Sequence, residues 1–142
     1  LETLGLRAHQ QSSNALKLGE FMEHRIQKNG GVMLHPGLAS HPRHELAMRQ
    51  MDACGPIFSF TVKVREQAHA ILDALELIDI SNNIGDARSL MCHPASTTHA
   101  AMGEDAREEM GVVEGMLRIN VGLEDADDII EDMDRALTAA GL

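Results

Sequence analysis

The chain has no tryptophan and no tyrosine, and three phenylalanines among 142 residues. Its core therefore has to be built from Leu, Ile, Val, Ala and nine methionines, whose flexible thioethers fill irregular gaps. Cysteine is almost as scarce. Cys54 and Cys92 stand far apart and in no C-x-x-C pattern, which argues against a disulfide scaffold and suits a reducing compartment. No stretch has the apolar length of a membrane span or the layout of a secretory leader, so the expected setting is the cytoplasm, with no membrane contact. Positive charge is short as well: 12 basic residues face 22 acidic ones, for a net charge of −10, and twelve of the acids fall between Glu104 and Asp134. A surface of that sign repels phosphate backbones, so no nucleic-acid partner is expected; a solvated acidic face that aids solubility is the reading of those residues.

A chain of this length makes one domain, able to bury about two thirds of its unfolded surface. Leu4, Ala8, Gln11, Ala15, Leu18, Met22 and Ile26 recur at three- and four-residue spacings, one stripe of a long helix over residues 1–28 that Asn29-Gly30-Gly31 ends. At 1.5 Å per residue such a helix is roughly 40 Å long and would project beyond a small core. The chain begins at Leu1, inside this helical pattern and without an initiator Met, which reads as a piece of a longer protein.

Short strands are predicted at 32–35, 57–63, 76–80, 90–93 and 116–121, and helices at 44–51, 67–75, 104–110 and from Asp125 onward. The clearest strand puts Phe58, Phe60 and Val62 on one face and Ser59, Thr61 and Lys63 on the other. The last helix carries the stripe Ala126, Ile129, Ile130, Met133, Ala136, Leu137 and Ala140. Several connections are too short for parallel crossovers. The expected fold is therefore α+β: a small, mostly antiparallel sheet with helices packed on one face, preceded by the long N-terminal helix.

The segment M-L-R-I-N-V-G alternates with period two, placing Met116, Arg118 and Asn120 on one face and Leu117, Ile119 and Val121 on the other. A guanidinium on a half-buried strand needs an anion to face, and its planar fork matches a carboxylate. Arg118 is thus a candidate handle for an amino-acid substrate, against the plainer readings of a solvated residue or a structural ion pair.

The runs S-L-M-C-H-P-A-S-T-T-H (89–99) and L-R-I-N-V-G-L-E-D (117–125) resemble the C-terminal signature of the Cys/Met-metabolism enzymes that use pyridoxal phosphate. P-G-L-A-S-H-P-R-H-E-L-A-M-R-Q-M (36–51), G-P-I-F-S-F (55–60) and L-R-A-H-Q-Q-S-S-N-A (6–15) agree with it in order and spacing. The resemblance implies that residues 1–142 form the C-terminal small domain of a fold-type I pyridoxal phosphate enzyme, with 1–28 as the helix linking it to a cofactor-binding large domain outside this chain. It also implies that Arg118 binds the substrate α-carboxylate, helped by Ser89 and Leu90, and that the protein is a homo-oligomer, a tetramer in the family. Three departures from the pattern stand out: Asn120 where serine is usual, Cys54 where glycine is common, and Gln11 where histidine is frequent.

The cofactor's Schiff-base lysine has no counterpart among Lys17, Lys28 and Lys63, and there is no glycine-rich phosphate cradle and no tyrosine to stack on a pyridine ring. This chain alone is therefore expected to bind no pyridoxal 5'-phosphate, to hold no catalytic residue and to be inactive. Eight histidines, among them the pairs His41/His44 and His93/His99, fall in no recognised zinc-ligand spacing, and no metal site is expected. The run S-N-N-I-G-D-A-R-S-L-M-C-H-P (81–94) is most similar to homoserine-ester sulfhydrylases, which replace the γ-ester of the substrate with sulfide and give homocysteine. Alternatives are a methionine or cystathionine lyase, a cystathionine synthase, or a non-catalytic oligomerisation module.

Overall fold

A computed structural model describes all of residues 1–142. The element order is α1 (Leu4–Lys28), β1 (Met33–Leu34), α2 (His44–Gln50), β2 (Ile57–Thr61), α3 (Arg65–Ala74), β3 (Asp79–Ile80), β4 (Leu90–Cys92), a 3₁₀ turn (Pro94–Ser96), α4 (Glu104–Glu109), β5 (Met116–Asn120) and α5 (Ala126–Ala139). The strands form one sheet in the order β1-β2-β5-β4-β3.

The alternation along β2 and β5 decides which face is buried. Phe58, Phe60, Leu117, Ile119 and Met91 of β4 point to one side, where they join Leu18, Met22 and Ile26 of α1, Ala68 and Ile71 of α3, and Ile129, Met133 and Leu137 of α5 in a single apolar core. Helices α1, α3 and α5 therefore cover one face of the sheet, as the α+β reading expects. Asp125 caps α5 by accepting from the Asp127 amide at 2.9 Å, and Asp127 and Asp128 sit where the positive end of the helix dipole favours them. No helix is long and apolar enough to cross a membrane.

Three pairings are antiparallel and one, β3 with β4, is parallel. The Ser81–Ser89 connection between these two strands crosses the face of the sheet opposite the core, where Arg118 and Asn120 bond to it. So short a parallel connection is possible because β3 contributes only Asp79 and Ile80 to the ladder. The stripe of α1 is also shorter than its periodicity suggests: Gln11, Ala15, Leu18, Met22 and Ile26 are buried, whereas Leu4 is 48% exposed and Ala8 is exposed. The first two turns of α1 project past the core.

Two buried polar groups tie the layers together. Asp132, on the inner face of α5 and 2% exposed, accepts the backbone N–H groups of Glu76, Leu77 and Ile78 at 2.9, 3.0 and 2.9 Å. It also takes a hydrogen bond from Arg135. On α1, Asn14 donates to the carbonyls of Gly122 and Glu124 at 3.2 and 2.9 Å, while Gln11 donates to those of Asp86 and Val121 at 2.7 and 3.1 Å. The long helix thereby fixes both the segment after β5 and the end of the Ser81–Ser89 connection.

Candidate functional site

The face of the sheet opposite the core carries the polar members of the same alternation. Register aligns Ser59, Arg118 and Cys92 across β2, β5 and β4, and Ile57, Asn120 and Leu90 in the next row. Arg118 is half-buried there, and one terminal nitrogen donates to the Asn82 carbonyl at 2.8 Å.

Its charge is otherwise unanswered. The two other half-buried arginines meet carboxylates, Arg25 on Asp134 and Arg107 on Glu114. Arg118 forms no ion pair, and its one hydrogen bond to a carbonyl leaves most of a five-donor fork free. A partly desolvated guanidinium without an anion is costly unless a ligand supplies one. Cys92 lies across the ladder from it. Burial pushes that thiol up, an effect the Arg118 charge and hydrogen bonds offset in part, so the thiol is protonated at neutral pH and does not act as the missing anion.

Leu90 is 5% exposed and forms an apolar wall opposite Asn120 on the same face. Ser89, the residue before it, is bonded within the domain. It is fully buried, its Oγ donates to Glu124 Oε2 at 2.9 Å and accepts from the Gly122 amide at 2.8 Å, its own N–H donates to Glu124 Oε1 at 2.6 Å, and its carbonyl accepts from the Asp79 amide at 3.1 Å. Every polar group of Ser89 is therefore spent on the protein. Through these bonds Ser89 is a clasp that joins the start of β4 to the segment after β5. Gly122 is required in that clasp, because a Cβ there would collide with the Glu124 carboxylate and with the backbone of Arg88 and Ser89.

Sequence reasoning missed two members of this arrangement. Asn120 is 2% exposed and accepts the Gly85 amide on its Oδ1 at 3.0 Å, while Glu124 anchors Ser89. The position of Asn120, two residues after Arg118 on the same face, was the available signal; the role of Glu124 had none, since its partner lies 35 residues away.

The histidines are occupied locally. His93 is buried between Ser96 Oγ (2.8 Å from Nδ1) and the Glu114 carbonyl (2.7 Å from Nε2), and burial lowers its pKa. A carbonyl can only accept, so Nε2 carries a proton. A separate cleft of about 330 Å³ lies between α1 and the segment after α2, lined by His9, Ser12, His35, Met48, Asp52 and Cys54. Arg118, Ser89 and Leu90 are not among its lining residues.

The geometry defines a small α+β domain with a half-buried cation on the outer face of its sheet, and similarity to known proteins gives the class. The family model described as Cys/Met metabolism PLP-dependent enzyme matches residues 1–138. The chain is 44% identical over 97% of its length to O-succinylhomoserine sulfhydrylase of Mycobacterium tuberculosis, of which it covers 35%. It is 39% identical over 96% of its length to L-methionine gamma-lyase of Treponema denticola, covering 34% of that protein. A crystal structure of a putative O-acetylhomoserine (thiol)-lyase from Campylobacter jejuni, holding a pyridoxyl-lysine monophosphate, superposes with a TM-score of 0.89 at 34% identity over 96% of this chain and 32% of that one. The chain belongs to the Cys/Met metabolism PLP-dependent enzyme family, and it spans about a third of the length of the relatives it matches.

The residues of this chain do not fit the family's cofactor. Lys17, Lys28 and Lys63 are all solvent-exposed, and none sits in a water-excluded pocket of the kind that holds a Schiff base. Lys63 lies over Gly30 at the end of β2.

Proposed function

We propose that this domain is the substrate-carboxylate-binding part of a cytoplasmic, PLP-dependent homoserine-ester sulfhydrylase. The observation that carries the reading is Arg118, a half-buried cation with no carboxylate partner on the sheet face away from the core. Arg118 would clamp the α-carboxylate of an amino-acid substrate through two parallel N–H···O bonds, which fixes orientation as well as charge. Leu90 would wall the same face against water, and the Ser89–Glu124–Gly122 clasp would hold β4 and β5 in register around it. The cofactor, held by a separate domain of the whole protein, would supply the electron sink for chemistry at the bound amino acid.

In this reading the substrate is a homoserine ester, the γ-acyloxy group leaves as its carboxylate, and sulfide takes its place to give homocysteine. The M. tuberculosis relative's name supports the succinyl ester, and the lyase relative keeps elimination open as the alternative. The projecting turns of α1, where Leu4 and Leu6 are 48% and 76% exposed, support burial against the rest of the protein or a second subunit.

The test is a graft of this chain in place of the matching third of the M. tuberculosis enzyme. With O-succinyl-L-homoserine and sulfide the graft is expected to release succinate and homocysteine in equal amounts. Turnover of methionine or cystathionine to an α-keto acid, without replacement by sulfide, would assign the lyase instead. An inactive but folded graft with normal cofactor absorbance would contradict both.

A further inference from the structure

Arg118 is held by a loop, and the loop is held by Asn120. Asn120 lies on the same face of β5, and its Oδ1 takes the Gly85 N–H at 3.0 Å, while Arg118 gives a terminal N–H to the Asn82 carbonyl at 2.8 Å. Strand, loop and two side chains close a ring. The two ends of the loop are secured separately, by the Ser81 amide on the Met91 carbonyl at 3.0 Å and by Gln11 on the Asp86 carbonyl at 2.7 Å. Between those ends, Arg118 and Asn120 provide the ties to the sheet. Gly85 adopts φ +79°, a left-handed conformation that a side chain would strain.

Asn120 carries a cost that stability does not explain. Its Nδ2 is buried with no hydrogen-bond partner. The orientation of the amide follows from Gly85, which needs an acceptor. An apolar residue of similar size would leave no such unpartnered donor.

We infer that Asn120 is the positioning residue for Arg118. By fixing Gly85 it fixes the Asn82 carbonyl, which takes one guanidinium N–H and sets the plane of the fork before any ligand arrives. The purpose of that setting rests on the carboxylate-binding reading of Arg118; the mechanical coupling does not. A long, flexible side chain that is already oriented loses less freedom on binding, which raises affinity without a new contact.

The experiment uses the ¹⁵N-labelled chain and three variants. Asn120→Ser is too short to reach Gly85, Asn120→Asp keeps an oxygen there, and Gly85→Ala perturbs the exposed loop without touching the buried strand. Two signals are read by NMR: hydrogen exchange of the Gly85 amide, with the Ile119 amide as ladder control, and rotation of the Arg118 guanidinium. L-norvaline is the probe for carboxylate binding. In Asn120→Ser, Gly85 exchange is expected to speed up about tenfold or more while Ile119 holds. Guanidinium rotation should become fast in Asn120→Ser and Gly85→Ala, stay slow in Asn120→Asp, and L-norvaline affinity in Asn120→Ser should fall about 3- to 10-fold. An equally restrained guanidinium in Asn120→Ser and Gly85→Ala would overturn the proposal, as would Ile119 exchange rising in step with Gly85. If L-norvaline leaves the Arg118 signals of the unmodified chain unmoved while the coupling persists, the carboxylate reading fails and the positioning stands. If binding depends on Arg118 but not on Asn120, the positioning fails and the carboxylate reading stands.

Discussion

Removing the carboxylate of Asp132 should be among the most damaging single changes in this domain. Three backbone N–H groups converge on it within 3.0 Å, and no other acceptor for them lies in the turn between α3 and β3. In Asp132→Ala the three donors have unequal fates. Glu76 is exposed and finds water, Leu77 is half-buried, and Ile78 is 3% exposed and left unsatisfied. An unsatisfied buried donor costs about 1–3 kcal/mol, so one full and one partial penalty, with the loss of charge-assisted bonds, give roughly 3–5 kcal/mol. That is a large share of the ~5–15 kcal/mol available to a domain. With a urea m-value of about 1–3 kcal/mol/M, the midpoint should fall by ~1 M or more at unchanged m. Arg135→Ala is the control: Arg135 is exposed, and its removal leaves the buried Asp132 carboxylate its three backbone donors, so the loss should be smaller than in Asp132→Ala. A loss below ~1 kcal/mol for Asp132→Ala, or equal losses for both variants, would refute the reasoning, because the backbone capping would then contribute nothing.

Three further outcomes are expected. Gly122→Ala should open the Ser89 clasp by backbone collision and cost more than about 2 kcal/mol in a thermal or urea melt, whereas Gly5→Ala, where an added Cβ meets nothing, should be neutral or slightly stabilising. Burial lowers the folded-state pKa of His35 and His93 below the ordinary value of 6.5, so the unfolded chain takes up protons first as pH falls. Their stabilisation is then fully present above that value and lost below it, so the melting temperature should be flat above neutrality and drop on acidification, less steeply in His93→Gln. Incubated with pyridoxal phosphate and borohydride, the chain should show no site-specific labelling on peptide mapping; stoichiometric capture on one lysine would contradict the assignment of the cofactor site to another part of the whole protein.

Much of the fold is legible in the sequence because it is set by burial on one face. Helices α1 and α5 and strands β2 and β5 each present a regular apolar stripe, and those stripes meet in the core. The parallel pairing of β3 and β4 is not legible, since a two-residue ladder has no period and the loop that joins the strands is held by Asn120, Gln11 and Arg118 from far away in the chain. At the site, period two marks Arg118, but it cannot reveal that Ser89 is already bound to Glu124. Asp132 did leave a trace: it falls at stripe spacing between Ile129 and Met133, and a carboxylate on the apolar face of a helix needs a partner.

The central claim is that Arg118 recognises a substrate carboxylate. It is tested most directly by kcat/KM and melting temperature of Arg118→Ala and Arg118→Lys in the graft with the M. tuberculosis enzyme. Leaving the carboxylate without its fork should cost about 2–5 kcal/mol, or roughly 30- to several-thousand-fold in kcat/KM for alanine. Lysine keeps the charge but not the paired geometry, so its loss should be smaller. Both variants should keep the cofactor absorbance and melt within a few degrees of the parent graft. Near-parental turnover by Arg118→Ala, with any loss confined to stability, would show that Arg118 is a structural residue and contradict the account.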